Sequence, residues 1–202
     1  MIDYVGTFIF FFAVIDPIGT VPVFLAVTGR HAEAERTAIA IRAALASAGI
    51  LVFFVVAGEV IFTAMEIPLS AFQVGGGLVL FLFALTMIFG ESKPEEELKL
   101  AGAGRETAIF PLAVPSIASP GAMLAAVLLT ENGRFGIVEQ ALTTAMMLLV
   151  LLVALLFMLA AGTLHRWIGD SGASVVSRVM GMILASVAAA NVLAGIEAHF
   201  GL

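Results

Sequence analysis

The sequence predicts an all-α membrane protein of six transmembrane helices, arranged as a 3+3 inverted repeat with helices 1 and 4 broken. Three observations predict it. Apolar residues make up 61% of the 202 positions and charged residues 12%, with a mean hydropathy of +1.14; a soluble domain carries about twice that share of charge. The apolar residues fall into six runs long enough to cross a bilayer, which takes about 20 residues each. Short motifs in the first half return in the second at a nearly constant offset.

The six runs are 5–28, 37–62, 69–89, 107–130, 140–164 and 175–196. No Lys or Arg precedes Arg30, so the first run lacks the basic flank of a cleaved leader and reads as a retained helix. The longest connector carries Glu91, Lys93, Glu95, Glu96, Glu97, Lys99, Arg105 and Glu106, with Pro94 and Gly102-Ala103-Gly104. It divides the chain into a first three-span repeat, 1–90, a cytoplasmic linker, 91–106, and a second repeat, 107–202. Arg30, Arg36, Arg42, Lys93, Lys99, Arg105, Arg166 and Arg178 fall on one side of a six-span topology, and Arg134 alone on the other. The positive-inside rule makes the first side cytoplasmic and puts both termini outside a cell inner membrane.

The repeat rests on three matches. Asp16-Pro17 corresponds to Ser119-Pro120, Ala57-Gly58 to Ala161-Gly162, and Gln73-Val74-x-Gly76 to Arg178-Val179-x-Gly181. The offsets are 103, 104 and 105, which place Thr86 opposite Asn191. Three spans per half is an odd number, so the second half enters the membrane in the opposite sense. Inverted repeats of this kind are common among secondary transporters.

The chemistry concentrates at Asp16. It is the one charged residue between Thr7 and Thr28, and the central parts of the other spans hold none. A carboxylate at that depth costs roughly 2.5–3.5 kcal/mol to insert and marks a functional site by default. Ile15-Asp16-Pro17-Ile18-Gly19-Thr20-Val21-Pro22 cannot form a smooth helix, because Pro17 has no N–H and disfavours the α conformation at Asp16. Asp followed by Pro is the pattern of a helix start, with Asp as N-cap and Pro as first helical residue. Ser119-Pro120-Gly121 repeats the pattern in span 4, behind Pro111, Pro115 and Ser116. Two half-helix starts at matched positions point to a binding site. Their free N–H groups and positive dipole ends suit a carboxylate, and unwound carbonyls suit an ammonium. The candidate binding residues are Asp16, Pro17, Ile18, Gly19, Thr20, Ser116, Ser119, Pro120 and Gly121, with Gly76, Thr86 and Asn191 from spans 3 and 6. Asp16 is also the candidate for ion coupling, by a proton or by sodium. The bland alternatives are prolines that merely kink two helices, glycines at 75–77 that let helices pack closely, and Thr86 and Asn191 as interhelical hydrogen bonds.

Other classes fit less well. There is no Cys, His31, His165 and His199 lie at helix ends where they read as surface residues and are not at metal spacing, and neither a hydrolase nor a zinc-protease motif occurs, so no enzyme, cofactor or metal is expected. The net charge of −6 and the absence of a basic stripe argue against nucleic acid. A channel or a non-transporting membrane scaffold stays open, although no charged ring or repeated filter segment is present. The number of copies in an assembly is left open as well.

Phe12-Ala13-Val14-Ile15-Asp16-Pro17-Ile18-Gly19-Thr20-Val21-Pro22-Val23-Phe24 resembles a signature of the MarC family of membrane proteins, and Phe110-Pro111-Leu112-Ala113-Val114-Pro115 with Pro120-Gly121-Ala122 resembles its second motif. The resemblance spans essentially the whole chain. That family includes the small neutral amino acid transporter SnatA and is related to LysE-type exporters. The resemblance therefore implies a lipid-embedded transporter of glycine, alanine, serine or similar small neutral amino acids. Ser119 stands where family members often have Gly, which implies a smaller or more polar pocket here.

Overall fold

The computed structural model describes residues 3–29, 31–89 and 108–201, so the connector at 91–106 lies outside the described residues. Every element among them is helical: α1 (Tyr4–Ile15), α2 (Pro17–Thr28), α3 (Glu33–Ala64), α4 (Leu69–Phe89), a π-wound segment (Ala108–Ile117), α5 (Pro120–Leu128), α6 (Ile137–Leu159) and α7 (Ala161–Phe200). Five stretches are long and apolar enough to span a membrane: Tyr4–Thr28, Glu33–Ala64, Ser70–Phe89, Ile137–Leu159 and Ser171–Phe200. The π-wound segment and α5 make a sixth if they are taken together, with a bend of 57° between them.

Large apolar side chains cover the outside. Val56, Val60, Leu82 and Leu152 all stand exposed on long helices. A water-soluble fold does not present that much contiguous apolar surface, and hydrocarbon chains can cover it. The inside is built differently. Two-thirds of the Tyr4–Thr28 stretch is buried within the protein, against a third or less of the other four. The broken first helix is thus the centre of the bundle, and Asp16 sits at the centre of that helix.

Small residues set the packing. α4 and α7 run antiparallel in near-backbone contact. A Cβ added to Gly195 would stand 3.0 Å from the Ser70 carbonyl, one on Gly77 3.1 Å from that of Ala188, and one on Gly181 3.1 Å from that of Ala84. This is the close approach that small residues allow in membranes. Gly76 faces the Leu124 side chain instead, and Gly75 faces open space. α3 keeps pace with the bent pair: Ser47 meets the Ala113 carbonyl, Gly58 lies against Val127, and Glu59 accepts a hydrogen bond from the Asn132 amide.

Two expectations need correction. The fifth apolar run was read through Leu164, but α6 ends at Leu159 and α7 begins at Ala161. α7 itself breaks at Gly169, whose φ of 66° and ψ of 174° are accessible essentially to glycine alone. The short piece before the break turns Leu164 and His165 partly inward and leaves Trp167 86% exposed. His165 is therefore not the plain surface residue its position suggested.

At the opposite end, Asn132 ties the loop after α5 to α3 and α6, through Glu59 at 2.7 Å and Gln140 at 3.0 Å. Burial pushes the Glu131 carboxyl above its ordinary range; the Glu59 charge adds to this, and Arg134, 3.9 Å away, opposes it. A raised acid stabilises the fold fully below about pH 4.5, and that contribution is lost as the pH rises through the folded value. Glu131→Gln should therefore melt like the wild type near pH 4 and above it near pH 8. Thermal unfolding in detergent at the two pH values checks this, and an equal offset at both would contradict it.

Candidate functional site

The first break is made by Asp16 and Pro17. The Asp16 amide donates to the Phe12 carbonyl at 3.0 Å and closes α1. Pro17 cannot continue the ladder. Asp16 then adopts φ 49° and ψ 67°, the left-handed region rather than the extended one expected before proline. Asp tolerates this region better than most residues because its short polar side chain can bond locally. It does so here: Oδ1 accepts the Gly19 amide at 3.0 Å, and Pro17 takes the first helical position of α2. The Thr20 amide and hydroxyl both donate to the Asp16 carbonyl, at 3.1 and 3.0 Å.

The second break follows the same logic. Ser119 is extended, its Oγ accepts the Ala122 amide at 3.2 Å, and Pro120 starts α5. Upstream, Phe110 and Val114 are extended before Pro111 and Pro115, which interrupts regular winding.

The two breaks touch. Ser119 Oγ donates to the Val14 carbonyl at 2.9 Å, and the Thr20 and Ser116 hydroxyls lie 3.3 Å apart. From α3, Ser47 Oγ donates to the Ala43 and Ala113 carbonyls. From α7, Ser177 Oγ donates to Asp16 Oδ2 at 2.9 Å. Asp16 is 1% exposed, and Thr20, Ser47, Ser116, Ser119 and Ser177 are fully buried. The result is a polar knot inside an apolar bundle, with one carboxylate and two helix starts. Two first-turn amides, those of Ile18 and Gly121, have no acceptor among the described residues.

Space at the knot is scarce. A Cβ on Gly121 would stand 2.6 Å from Leu80, and one on Gly19 would stand 2.7 Å from Ser177 Oγ and closer still to Asp16 Oδ2. Of the predicted residues, the structure gathers Asp16, Pro17, Gly19, Thr20, Ser116, Ser119 and Gly121, with Ile18 half-buried beside them, while Pro120 starts α5 with its ring exposed. Gly76 is near, holding α4 against α5 through Leu124. Thr86 is exposed and donates to the Phe83 carbonyl of its own helix, so it neither joins the site nor bridges helices. Asn191 is half-buried on α7. It lies 14 residues beyond Ser177, about 21 Å along the helix.

Sequence reasoning missed Ser177 and Ser47. A signal for Ser177 exists in the helical spacing. Ala173, Ser177, Gly181, Leu184 and Ala188 recur at three- and four-residue intervals and form the buried stripe of α7. Ser177 is the polar member of that stripe.

Among the described residues, polar cavities open at each end of the bundle. One of about 460 Å³ lies among α2, α3 and the start of α7, with Glu33, Arg36, Thr37 and Arg166 on its walls. The other, about 600 Å³, lies between α4, α7 and the 131–134 loop. No group of three or more metal-ligating side chains occurs among the described residues.

Comparison with known proteins agrees with this architecture. Residues 1–200 match the model of the MarC family integral membrane proteins. UPF0056 membrane protein YvbG of Bacillus subtilis is 34% identical over 97% of this chain and 95% of its own. UPF0056 membrane proteins of Methanocaldococcus jannaschii, at 32% identity over 92% of each chain, and of Aquifex aeolicus, at 30% over 96% and 92%, are similar along their length. No solved structure matches. With a family match over nearly every residue and full-length relatives above 30% identity, the chain belongs to the MarC family of integral membrane proteins.

Proposed function

We propose that this protein is a secondary transporter of small neutral amino acids, of the glycine, alanine and serine class, working by alternating access. The observation that carries the reading is the contact of two half-helix starts around the buried Asp16 carboxylate. A zwitterion needs opposite charges a few ångströms apart. The uncapped amides of Ile18 and Gly121, at two positive dipole ends, suit its carboxylate. Asp16 suits its ammonium. Gly19, Gly121 and Ala122 give the two starts their smallest side chains, and the tight packing around them restricts the ligand to a small side chain once the site opens.

The 3+3 inverted repeat belongs to this proposal. α3, second in the first half, packs on the broken helix of the second half; α6, second in the second half, packs on α1 and α2. α4 and α7, third in each half, pack on each other as an antiparallel pair. A two-fold axis in the membrane plane exchanges all three relations. In this reading the bent pair is a full span, because it runs alongside α3 in the same direction. Six spans then put both termini outside the cytoplasmic membrane. A Cys replacing Glu66 or Arg134 should react with an impermeant thiol reagent added to whole cells, and one replacing Glu33 should not. Labelling at Glu33 would overturn the orientation.

Uptake of labelled glycine and alanine into proteoliposomes tests the function. The expected result is saturable uptake, at least about tenfold above protein-free vesicles at a typical single-enzyme turnover, blocked by serine and not by leucine. Imposed proton and sodium gradients identify the coupling ion. Uptake equal to that of protein-free vesicles would reject the transporter reading, and non-saturating flux would replace it with a channel.

A further inference from the structure

At the buried knot, the Ser177–Asp16 hydrogen bond differs from the three neutral side-chain bonds that join the two halves of the bundle there. Ser119 to the Val14 carbonyl, Thr20 to Ser116, and Ser47 to the Ala113 carbonyl involve neutral groups. Ser177 Oγ, 2.9 Å away, donates to a charge-bearing side chain. It approaches Asp16 from α7, the helix whose other main partners are α4 and α2. The chain keeps this approach open: a Cβ at Gly19 would crowd both groups, 2.7 Å from the serine oxygen and closer to Asp16 Oδ2.

We propose that Ser177 holds the place of the substrate's amino group, and that an arriving ammonium displaces its hydroxyl from Asp16 Oδ2 and so releases α7 from α2. This rests on the transporter reading of the site. The chemistry favours the exchange in one direction. A hydroxyl offers one donor and no charge, whereas an ammonium offers three donors and a full positive charge. Both bonds have the carboxylate as acceptor, and the ammonium alone adds the attraction of opposite charges to it. The exchange also gives the ligand the property that a conformational change requires, which is a different interaction energy with the two states. In the closed state Ser177 donates to Oδ2; in the released state the ligand's ammonium donates there in its place, while Oδ1 keeps capping Gly19 in both. A small carboxylic acid without an amino group cannot drive the exchange.

The test compares purified wild type with Ser177→Ala by thermal unfolding and by equilibrium binding of labelled alanine, with propionate as the ligand lacking the amine. Without alanine, the variant should melt below the wild type, because the closed state has lost a bond. At saturating alanine the two melting temperatures should converge. Propionate should leave the gap unchanged. Removing the closed-state competitor should also tighten alanine binding about three- to tenfold, since the competent state is more populated. Wild-type binding with an equal or weaker affinity in Ser177→Ala, and a melting gap that alanine does not close, would make Ser177 an ordinary buried hydrogen bond and overturn this proposal alone. Failure of both proteins to bind alanine would overturn it together with the transporter reading.

Discussion

Asp16→Asn should leave the protein folded and abolish transport, while Asp16→Ala should impair both. Asparagine keeps the oxygen that caps Gly19 and tolerates the left-handed backbone at this position. It loses the charge. Losing a charge-assisted bond of up to about 3 kcal/mol predicts uptake reduced on the order of 100-fold. Alanine removes the cap, worth about 1 kcal/mol. It also bears the left-handed strain without compensation, about 1–2 kcal/mol more, and leaves the buried Ser177 hydroxyl without its acceptor. Uptake in proteoliposomes and thermal unfolding separate the two effects. Near-normal uptake by a well-folded Asp16→Asn variant would reduce Asp16 to a capping residue.

Gly19→Ala should be the most damaging single-carbon change in the bundle. In an exposed helix such a change stabilises by about 1 kcal/mol through propensity. Here the new methyl would overlap Asp16 Oδ2 and crowd Ser177 Oγ. Overpacking at a tight site costs roughly 1–3 kcal/mol, so the sign should reverse and transport should be lost. Gly75→Ala is the control, because its added Cβ meets nothing within 4 Å. That variant should be neutral or slightly more stable and transport normally. Equal effects at the two positions would mean that the geometry around Gly19 does not control the site.

The parts of the site legible in the sequence are those fixed by local chemistry. Asp16-Pro17 and Ser119-Pro120 pair a capping side chain with a residue that lacks an N–H, and both build helix starts as that chemistry requires. The left-handed turn at Asp16 was not legible, since the rule for residues before proline points to extended backbone, and the Gly19 amide and Thr20 side chain outweigh it. Gly169 was not legible either, because the run through Leu164 stays apolar across the gap between α6 and α7. Thr86 and Asn191 were chosen by repeat arithmetic. An offset gives depth in the membrane but not the face of the helix, and Thr86 turns outward. Ser177 was overlooked for the converse reason. It has no repeat partner, and only the spacing of the buried stripe on α7 places it inward. Long-range contacts such as Ser119 to Val14, 105 residues apart, have no local sequence signal.

The most direct test of the central claim, that the two helix starts form one amino-acid site, is an experimental structure of the protein with alanine bound. The site predicts the ligand between the turns at Asp16–Thr20 and Ser116–Gly121, its ammonium at Asp16 Oδ2, its carboxylate on the amides of Ile18 or Gly121, and Ser177 displaced. Alanine seated instead in the Arg36–Arg166 cavity or against the 131–134 loop, with the Ser177–Asp16 bond intact, would contradict it.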